Sequence, residues 1–196
     1  MKKNREQYSL FYLAICWIFF SPISVSAGTW SIEKFDAIEL GISSEKAKQV
    51  FGAPEKKLRK VEGETAVSEI WIYRQTVDGG ASKDLIDRVT LEFNVSDRKM
   101  VSKGFSVFES DPVHDLSGVR RRYSDAQFTH REAPFCGHYQ LSEDLYTDWS
   151  KGLSVIESRR TRKISQIGRW IAGQRKPDTE PDRCKSTGAH VEELND

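Results

Sequence analysis

Histidines and cysteines are the residues of this chain that could hold a metal ion or act as nucleophile and base. The four histidines are His114, His130, His138 and His190. None of them has HExxH or another metal-ligand spacing, and Cys136-Gly137-His138 offers two ligands where zinc needs three or four. We therefore predict no metal and no cofactor. A site formed by Cys136, His138 and His130 stays open as an alternative.

Carboxylates are plentiful but lie in polar surroundings. They include Asp84, Asp87, Glu92, Glu109, Glu143, Asp144 and Asp148. A catalytic pair needs one carboxyl group whose pKa is raised by burial, and these contexts favour solvated edges instead. The chain has no G-x-S-x-G elbow and no phosphate-binding loop. We predict a protein that is not an enzyme. A hydrolase using His130 or His138 beside an acid or Cys136 is the alternative.

Aromatic and basic residues are the better candidates for a binding site. The candidate binding residues are Trp71, Tyr73, Tyr146, Trp149, Arg120, Arg121 and Arg122. Trp71 and Tyr73 alternate along a predicted strand and so share a face. They are core residues if that face meets helices, and binding residues if it is open, because Trp and Tyr dominate binding energies. The three arginines face an acidic partner, lipid headgroups or the cell-wall polymer, or they form a solubilising helix face.

The N-terminus has the pattern of a secretory signal peptide over residues 1–27. Basic residues come first, an apolar run follows over Tyr8–Phe20, and Val25-Ser26-Ala27 supplies small residues before Gly28. The run is short for a bilayer, which needs about 20 residues. We expect an exported, periplasmic protein, with outer-membrane association or an extracellular location as alternatives. An uncleaved anchor and lipidation at Cys16 are weaker interpretations.

Charge and cysteine content narrow the partners and the compartment. Residues 1–27 hold three basic and one acidic residue of the chain's 30 and 29, which leaves 27 and 28. This balance excludes a general nucleic-acid binder, which needs a basic excess, and no later apolar run could form a transmembrane segment. Once Cys16 is removed, Cys136 and Cys184 remain. They form a disulfide in an oxidising compartment, or Cys136 is a buried thiol and Cys184 a free one.

The first half, residues 28–110, has the signals of a helix followed by antiparallel strands. Serines at 43 and 44 cap a helix that places Ala47, Val50 and Phe51 on one face, and Gly52 ends it before Pro54. The charged segment 55–64 reads as a loop. Strands are predicted over 69–74, 88–94 and 100–108, with an Asp78-Gly79-Gly80 turn after the first.

The second half, residues 111–171, repeats this order less clearly. Asp115 or Ser117 caps a helix through Val119 and Tyr123. Strands are predicted over 152–158 and 164–171, with a short helix as the alternative for the second segment. Matches between the halves favour a duplicated unit, and two segments of one α+β domain that match by chance are the alternative. Residues 172–196 form a polar tail that we predict to be disordered or loosely held.

Four segments of the first half resemble a known family. Gly41-Ile42-Ser43, Val50-Phe51-Gly52-Ala53-Pro54, Ile70-Trp71-Ile72-Tyr73 and Val89-Thr90-Leu91-Glu92-Phe93 are similar to the pattern of the SmpA/OmlA (BamE-like) domain. The resemblance covers about residues 38–105. It implies an α+β fold with two short helices on an antiparallel sheet. Two such units in tandem also resemble the β-lactamase-inhibitory protein, whose concave sheet binds another protein.

The resemblance, together with the lack of a catalytic motif, implies a function. We expect an exported, non-catalytic module that presents a sheet face to an envelope protein, similar to outer-membrane assembly accessory domains. A periplasmic inhibitor, an unrecognised hydrolase or a metal-binding protein on the same scaffold is the alternative. The expected fold class is α+β, built from two small BamE-like units.

Overall fold

The structure, a computed structural model, describes residues 29–78, 83–132, 143–173 and 189–194. The predicted signal peptide, the predicted turn at Gly79-Gly80, and Cys136 and Cys184, whose pairing was left open, lie outside the described residues. These expectations therefore stay predictions. In the described part of the chain, no helix is long and apolar enough to cross a membrane.

The described residues form three short helices and nine strands. The helices are α1 (Ile32–Asp36), α2 (Ser44–Phe51) and α3 (Leu116–Arg122). The strands are β1 (Lys56–Glu62), β2 (Thr65–Asp78), β3 (Lys83–Asn94), β4 (Met100–Ser106), β5 (Thr129–Glu132), β6 (Glu143–Asp148), β7 (Leu153–Ser158), β8 (Ile164–Trp170) and β9 (Ala189–Glu193). All pairings are antiparallel, in the order β5-β6-β7-β8-β4-β3-β2-β1-β9.

The two predicted helices are confirmed, and their caps explain their bounds. The Ser43 hydroxyl accepts a hydrogen bond from the Lys46 amide at 3.2 Å, and Gly52 ends α2 with a φ of 82°. At α3, the Asp115 carboxylate accepts a hydrogen bond from the Gly118 amide at 2.7 Å. These contacts satisfy amides that have no partner within a helix. Helix α1, capped by Ser31, was not predicted.

The prediction of two separate α+β units is wrong, because the strands of both halves form one sheet. The last strand of the first half, β4, pairs with the last strand of the second half, β8, from Ser102 opposite Trp170 to Ser106 opposite Gln166. Two separate units would leave each of these strands with unpaired backbone groups at an edge. Pairing them satisfies those groups and places Phe105 beside Ile167 in the core.

The core lies between the helices and one face of this sheet. Its strand residues include Val89, Leu91, Phe105, Val155 and Ile167, all fully buried. Residues from the helices complete the same cluster, namely Ile32, Phe35, Ala47 and Val119. One continuous core therefore spans both halves of the sequence.

Two further expectations are wrong at the edge of the sheet. The charged segment 55–64, expected to be a loop, contains strand β1, and the tail expected to be disordered contains strand β9. Strand β9 is the edge strand and β1 lies directly inside it, and both carry many charged side chains, which protect sheet edges from unwanted pairing. Strand formation here rests on the backbone ladder with a neighbour rather than on apolar alternation.

Candidate functional site

The predicted aromatic strand faces the helices. Trp71 is 6% exposed and Tyr73 is 2% exposed, and both belong to the core cluster. The Trp71 ring packs 4.7 Å from the Phe93 ring. Of the two alternatives for this strand, the structure shows the core position, so neither ring lies on the open face of the sheet.

The other predicted aromatic residues lie in the second half. Tyr146 is buried, stacks on the His130 ring at 4.9 Å, and donates a hydrogen bond to Glu157 at 3.0 Å. Trp149 is half-buried, and its ring lies 5.6 Å from that of Trp170. Tyr146 is therefore held by partners of its own chain.

The three predicted binding arginines have different surroundings in the structure. Arg120 and Arg121 are exposed on α3, whereas Arg122 forms ion pairs with Asp36 at 2.6 Å and Glu33 at 2.9 Å. These pairs tie α3 to α1, and the flanking carboxylates raise the pKa of Arg122 against the effect of burial. The charge of Arg122 is thus paired with carboxylates of its own chain. The structure does not bring the seven predicted binding residues together in one site.

Polar residues of the second half form an ion cluster rather than a catalytic constellation. The Asp144 carboxylate lies 2.8 Å from Arg159 Nε, 3.4 Å from Arg162 Nη1 and 3.3 Å from His130 Nε2. Burial alone would raise the pKa of Asp144, but the hydrogen bonds from Arg159 and His130 outweigh it and lower that pKa. An ionised carboxylate held by guanidinium groups is a poor proton acceptor.

The hydrolase and metal alternatives depend on residues that cannot be placed. Cys136 and His138 lie outside the described residues, so their distance from His130 is not defined. Among the residues that the structure describes, no group of three or more His, Cys, Asp and Glu side chains is arranged to hold a metal ion. Neither alternative gains an observation in its favour.

The middle of the open sheet face is small and polar. Thr90, Gly104, Gly168 and Ser154 lie opposite one another in a row across β3, β4, β8 and β7. A Cβ atom at Gly104 would contact the Thr90 hydroxyl at 2.5 Å, so glycine allows these side chains to lie close together. This row offers no large apolar side chain to anchor a partner.

A cavity of about 690 Å³ lies between α2, the segment before α1, and the hairpin of β2 and β3. We call it the aromatic cavity. Its lining residues are Thr29, Trp30, Lys34, Ala37, Val50, Phe51, Gly52, Ala53, Glu55, Tyr73, Arg74, Gln75, Thr76 and Leu85. Strand β2 contributes its outer part, where the hairpin extends beyond the bulge between Tyr73 and Arg74.

Three aromatic rings form one wall of the aromatic cavity. The centroid of Trp30 lies 5.6 Å from that of Phe51 and 5.4 Å from that of Tyr73. Phe51 and Tyr73 are 6.4 Å apart in an edge-to-face arrangement. Such contacts fix the rings in place and leave an apolar surface of defined shape.

Backbone and side-chain hydrogen bonds hold the aromatic wall in position. The Trp30 amide donates to Gln75 Oε1 at 3.1 Å, and the Tyr73 hydroxyl donates to the Gly52 carbonyl at 3.2 Å. Burial, with a smaller contribution from Glu55, raises the pKa of Tyr73. The hydroxyl therefore stays protonated and keeps its donor role across the physiological pH range.

The mouth of the aromatic cavity carries both charges and one exposed aliphatic side chain. The Arg74 amide donates to the Glu55 carboxylate at 3.1 Å, and the Lys34 ammonium donates to the Thr29 carbonyl at 3.0 Å. Leu85 is 58% exposed beside these groups. The arrangement fits a ligand whose apolar group enters the cavity and whose polar atoms stay at the cavity mouth.

Sequence reasoning missed this site, apart from Tyr73. Trp30 was not among the predicted binding residues, and Phe51 was predicted only as part of the apolar face of a helix. The available signal was that Phe51 lies at the end of its helix, beside Gly52. Nothing in the spacing of Trp30, Phe51 and Leu85 indicates that they meet.

Comparisons with known proteins add little to this geometry. No family model matches the chain, and no curated protein matches it. A solved structure with a detectable likeness is that of an extracellular protein containing a SCP domain from Bacillus anthracis str. Ames, at 12% identity and a TM-score of 0.40. The likeness covers 73% of this chain and 46% of that chain, so this chain spans less than half of that protein.

Proposed function

We propose that this protein is an exported, non-catalytic protein-binding module of the cell envelope, and that its binding site is the aromatic cavity. The observation that carries the proposal is the cavity itself, about 690 Å³ in volume with the rings of Trp30, Phe51 and Tyr73 on one wall. Ligand sites typically measure about 300–1,000 Å³ and combine apolar walls with a few polar groups.

The occupant that fits this site is an aliphatic or aromatic side chain projected by a partner protein. Leu85 extends the apolar surface outward from the cavity mouth. A small molecule inside the cavity would leave that side chain in water, whereas a protein surface would cover it. Glu55, Arg74 and Lys34 would contact polar atoms of the partner around the inserted side chain.

Export and location complete the proposal. The sequence of residues 1–27 supports export, with the periplasm as the destination and outer-membrane association or an extracellular location as alternatives. The resemblance to the SmpA/OmlA domain family supports a binding role in the envelope. This resemblance is supported by the sequence pattern alone, because the predicted division into two units is wrong.

Photo-cross-linking from the cavity mouth tests the proposal. A benzoylphenylalanine residue replaces Leu85 in one chain, and Val95 in a control chain, within cells that produce the protein. Val95 is 42% exposed in the turn after β3 and does not line the cavity. We expect a light-dependent adduct with one envelope protein from position 85 and none from position 95. No adduct from position 85, or the same adducts from both positions, contradicts the proposal.

A further inference from the structure

Strand β9 is held on the sheet by backbone hydrogen bonds to β1 and by an ion pair between side chains. Its register with β1 runs from Ala189 opposite Glu62 to Glu193 opposite Leu58. The Leu194 amide donates to the Lys57 carbonyl at 3.0 Å. An ion pair between Lys56 and Glu193 at 2.8 Å also joins side chains of the two strands.

Almost no apolar surface is buried under β9. Val191 is 54% exposed, and His190, Glu192 and Glu193 are exposed as well. None of the buried core residues comes from this strand. Elements with few buried apolar contacts and solvent-exposed hydrogen bonds open at low free energy. Strand β9 therefore detaches more easily than the strands that carry the core.

Charge at this edge is strongly asymmetric. Strand β1 has the sequence KKLRKVE and carries four basic side chains, while β9 has the sequence AHVEE. Arg59 lies directly opposite Glu192 in the register. Opposite charges across a strand pair stabilise the pairing, and like charges destabilise it. When β9 leaves, β1 exposes unpaired amides and carbonyls beside basic side chains.

We propose that the β1 edge is a binding site for an extended acidic segment of a partner protein, and that β9 occupies this site as a built-in competitor. The partner segment adds a strand to the sheet, and acidic side chains in the places of Glu192 and Glu193 give it specificity. No residue of β1 or β9 is among the lining residues of the aromatic cavity, and this proposal does not rest on the function proposed for that cavity. The affinity for the partner is reduced by the fraction of time that β9 leaves the edge free.

A peptide titration on the full chain tests the competition. The probe is a fluorescein-labelled peptide with the sequence GAHVEELND, which copies residues 188–196. The Glu192→Lys/Glu193→Lys variant places like charges opposite β1 and should release β9. We expect it to bind the probe at least about tenfold more tightly than the unchanged chain, which corresponds to β9 being docked about nine-tenths of the time. A probe with both glutamates changed to lysine should bind neither chain.

A matched control separates the edge from general charge effects. The Glu109→Lys/Asp125→Lys variant makes the same change of net charge at exposed positions outside β1 and β9. It should bind the probe as weakly as the unchanged chain. Equal affinity of all three chains, or no binding by a Glu192→Lys/Glu193→Lys chain that unfolds cooperatively, overturns the proposal. Concentration-dependent dimers that form by exchange of β9 also overturn it, because the edge would then take a second copy.

Discussion

Lys103 is a buried cation whose ammonium group lies among backbone carbonyl oxygens. It donates hydrogen bonds to the carbonyls of Phe35 at 2.5 Å, Asp36 at 3.4 Å and Ile38 at 2.6 Å. These carbonyls lie at the end of α1, where the helix dipole is negative. Lys103 therefore connects strand β4 to a helix of five residues that has little stability of its own.

This environment predicts a pH dependence of stability that is specific to Lys103. Burial lowers its pKa to about 8, although the charge of Asp36 opposes the shift. The unfolded chain then binds more protons than the folded chain between pH 8 and about 10. The free energy of unfolding gains a contribution that increases with pH across this window. Urea unfolding from pH 7 to 9.5 should show that increase in the unchanged chain and not in Lys103→Met.

Two features keep this measurement interpretable. The exposed Lys46 on α2 provides a control, since Lys46→Met should keep the increase. Burial raises the pKa of both Tyr73 and Tyr123, so the stability they contribute is lost only above about pH 10, beyond the range scanned. The same pH increase in Lys103→Met and the unchanged chain would show that other groups cause it.

Turns between strands depend on glycine to different degrees. Gly152, between β6 and β7, has a φ of 58°, and Gly63, between β1 and β2, has a φ of 62°. A Cβ atom at Gly152 would clash with the carbonyl oxygen of Trp170, whereas no atom lies within 4 Å of the same position at Gly63. The two residues share a backbone conformation and differ in their surroundings.

This difference predicts unequal costs for the same substitution. Gly63→Ala should cost about 1 kcal/mol, from the left-handed conformation alone. Gly152→Ala should cost several times more, because the backbone of β8 must move to admit a methyl group. Chemical denaturation of both variants at one pH gives the two values. Equal costs would mean that the close approach to Trp170 is not a constraint in solution.

Elements whose signals are local were predictable, and elements that depend on a neighbour were not. Helix α2 has its serine cap, its apolar face and its glycine end within the segment 43–52. Strands β1 and β9 have no apolar alternation, and they form because each meets the backbone of an adjacent strand. The orientation of Trp71 was open for the same reason, since only the position of the helices decides which face is covered.

At the scale of the whole molecule, the two halves are joined by a strand pairing that no sequence pattern predicts. The pairing of β4 with β8 joins β1 to β4 and β5 to β8 into one sheet, to which β9 is added beside β1. The core crosses the junction through Phe105 and Ile167. Sequence similarity between the halves predicted repetition. It could not predict that the two edges would pair with each other.

The aromatic cavity also belongs to the whole molecule. Trp30, Phe51, Tyr73 and Leu85 come from four separate segments, and the hairpin of β2 and β3 brings the last two beside the first two. Of these four, only Tyr73 was a predicted binding residue, and it was predicted for a different surface. A site of this kind becomes visible only when long-range contacts are known.

Filling the aromatic cavity is the most direct test of the proposed function. Ala53→Trp places a large ring in the cavity lining, while Ala172→Trp adds the same ring at an exposed position after β8. Each is combined with benzoylphenylalanine at position 85, and the yield of the adduct with the envelope partner is measured. We predict that Ala53→Trp reduces the yield at least about tenfold, and that Ala172→Trp leaves it unchanged. Equal yields from the two folded variants would contradict the assignment of the aromatic cavity as the binding site.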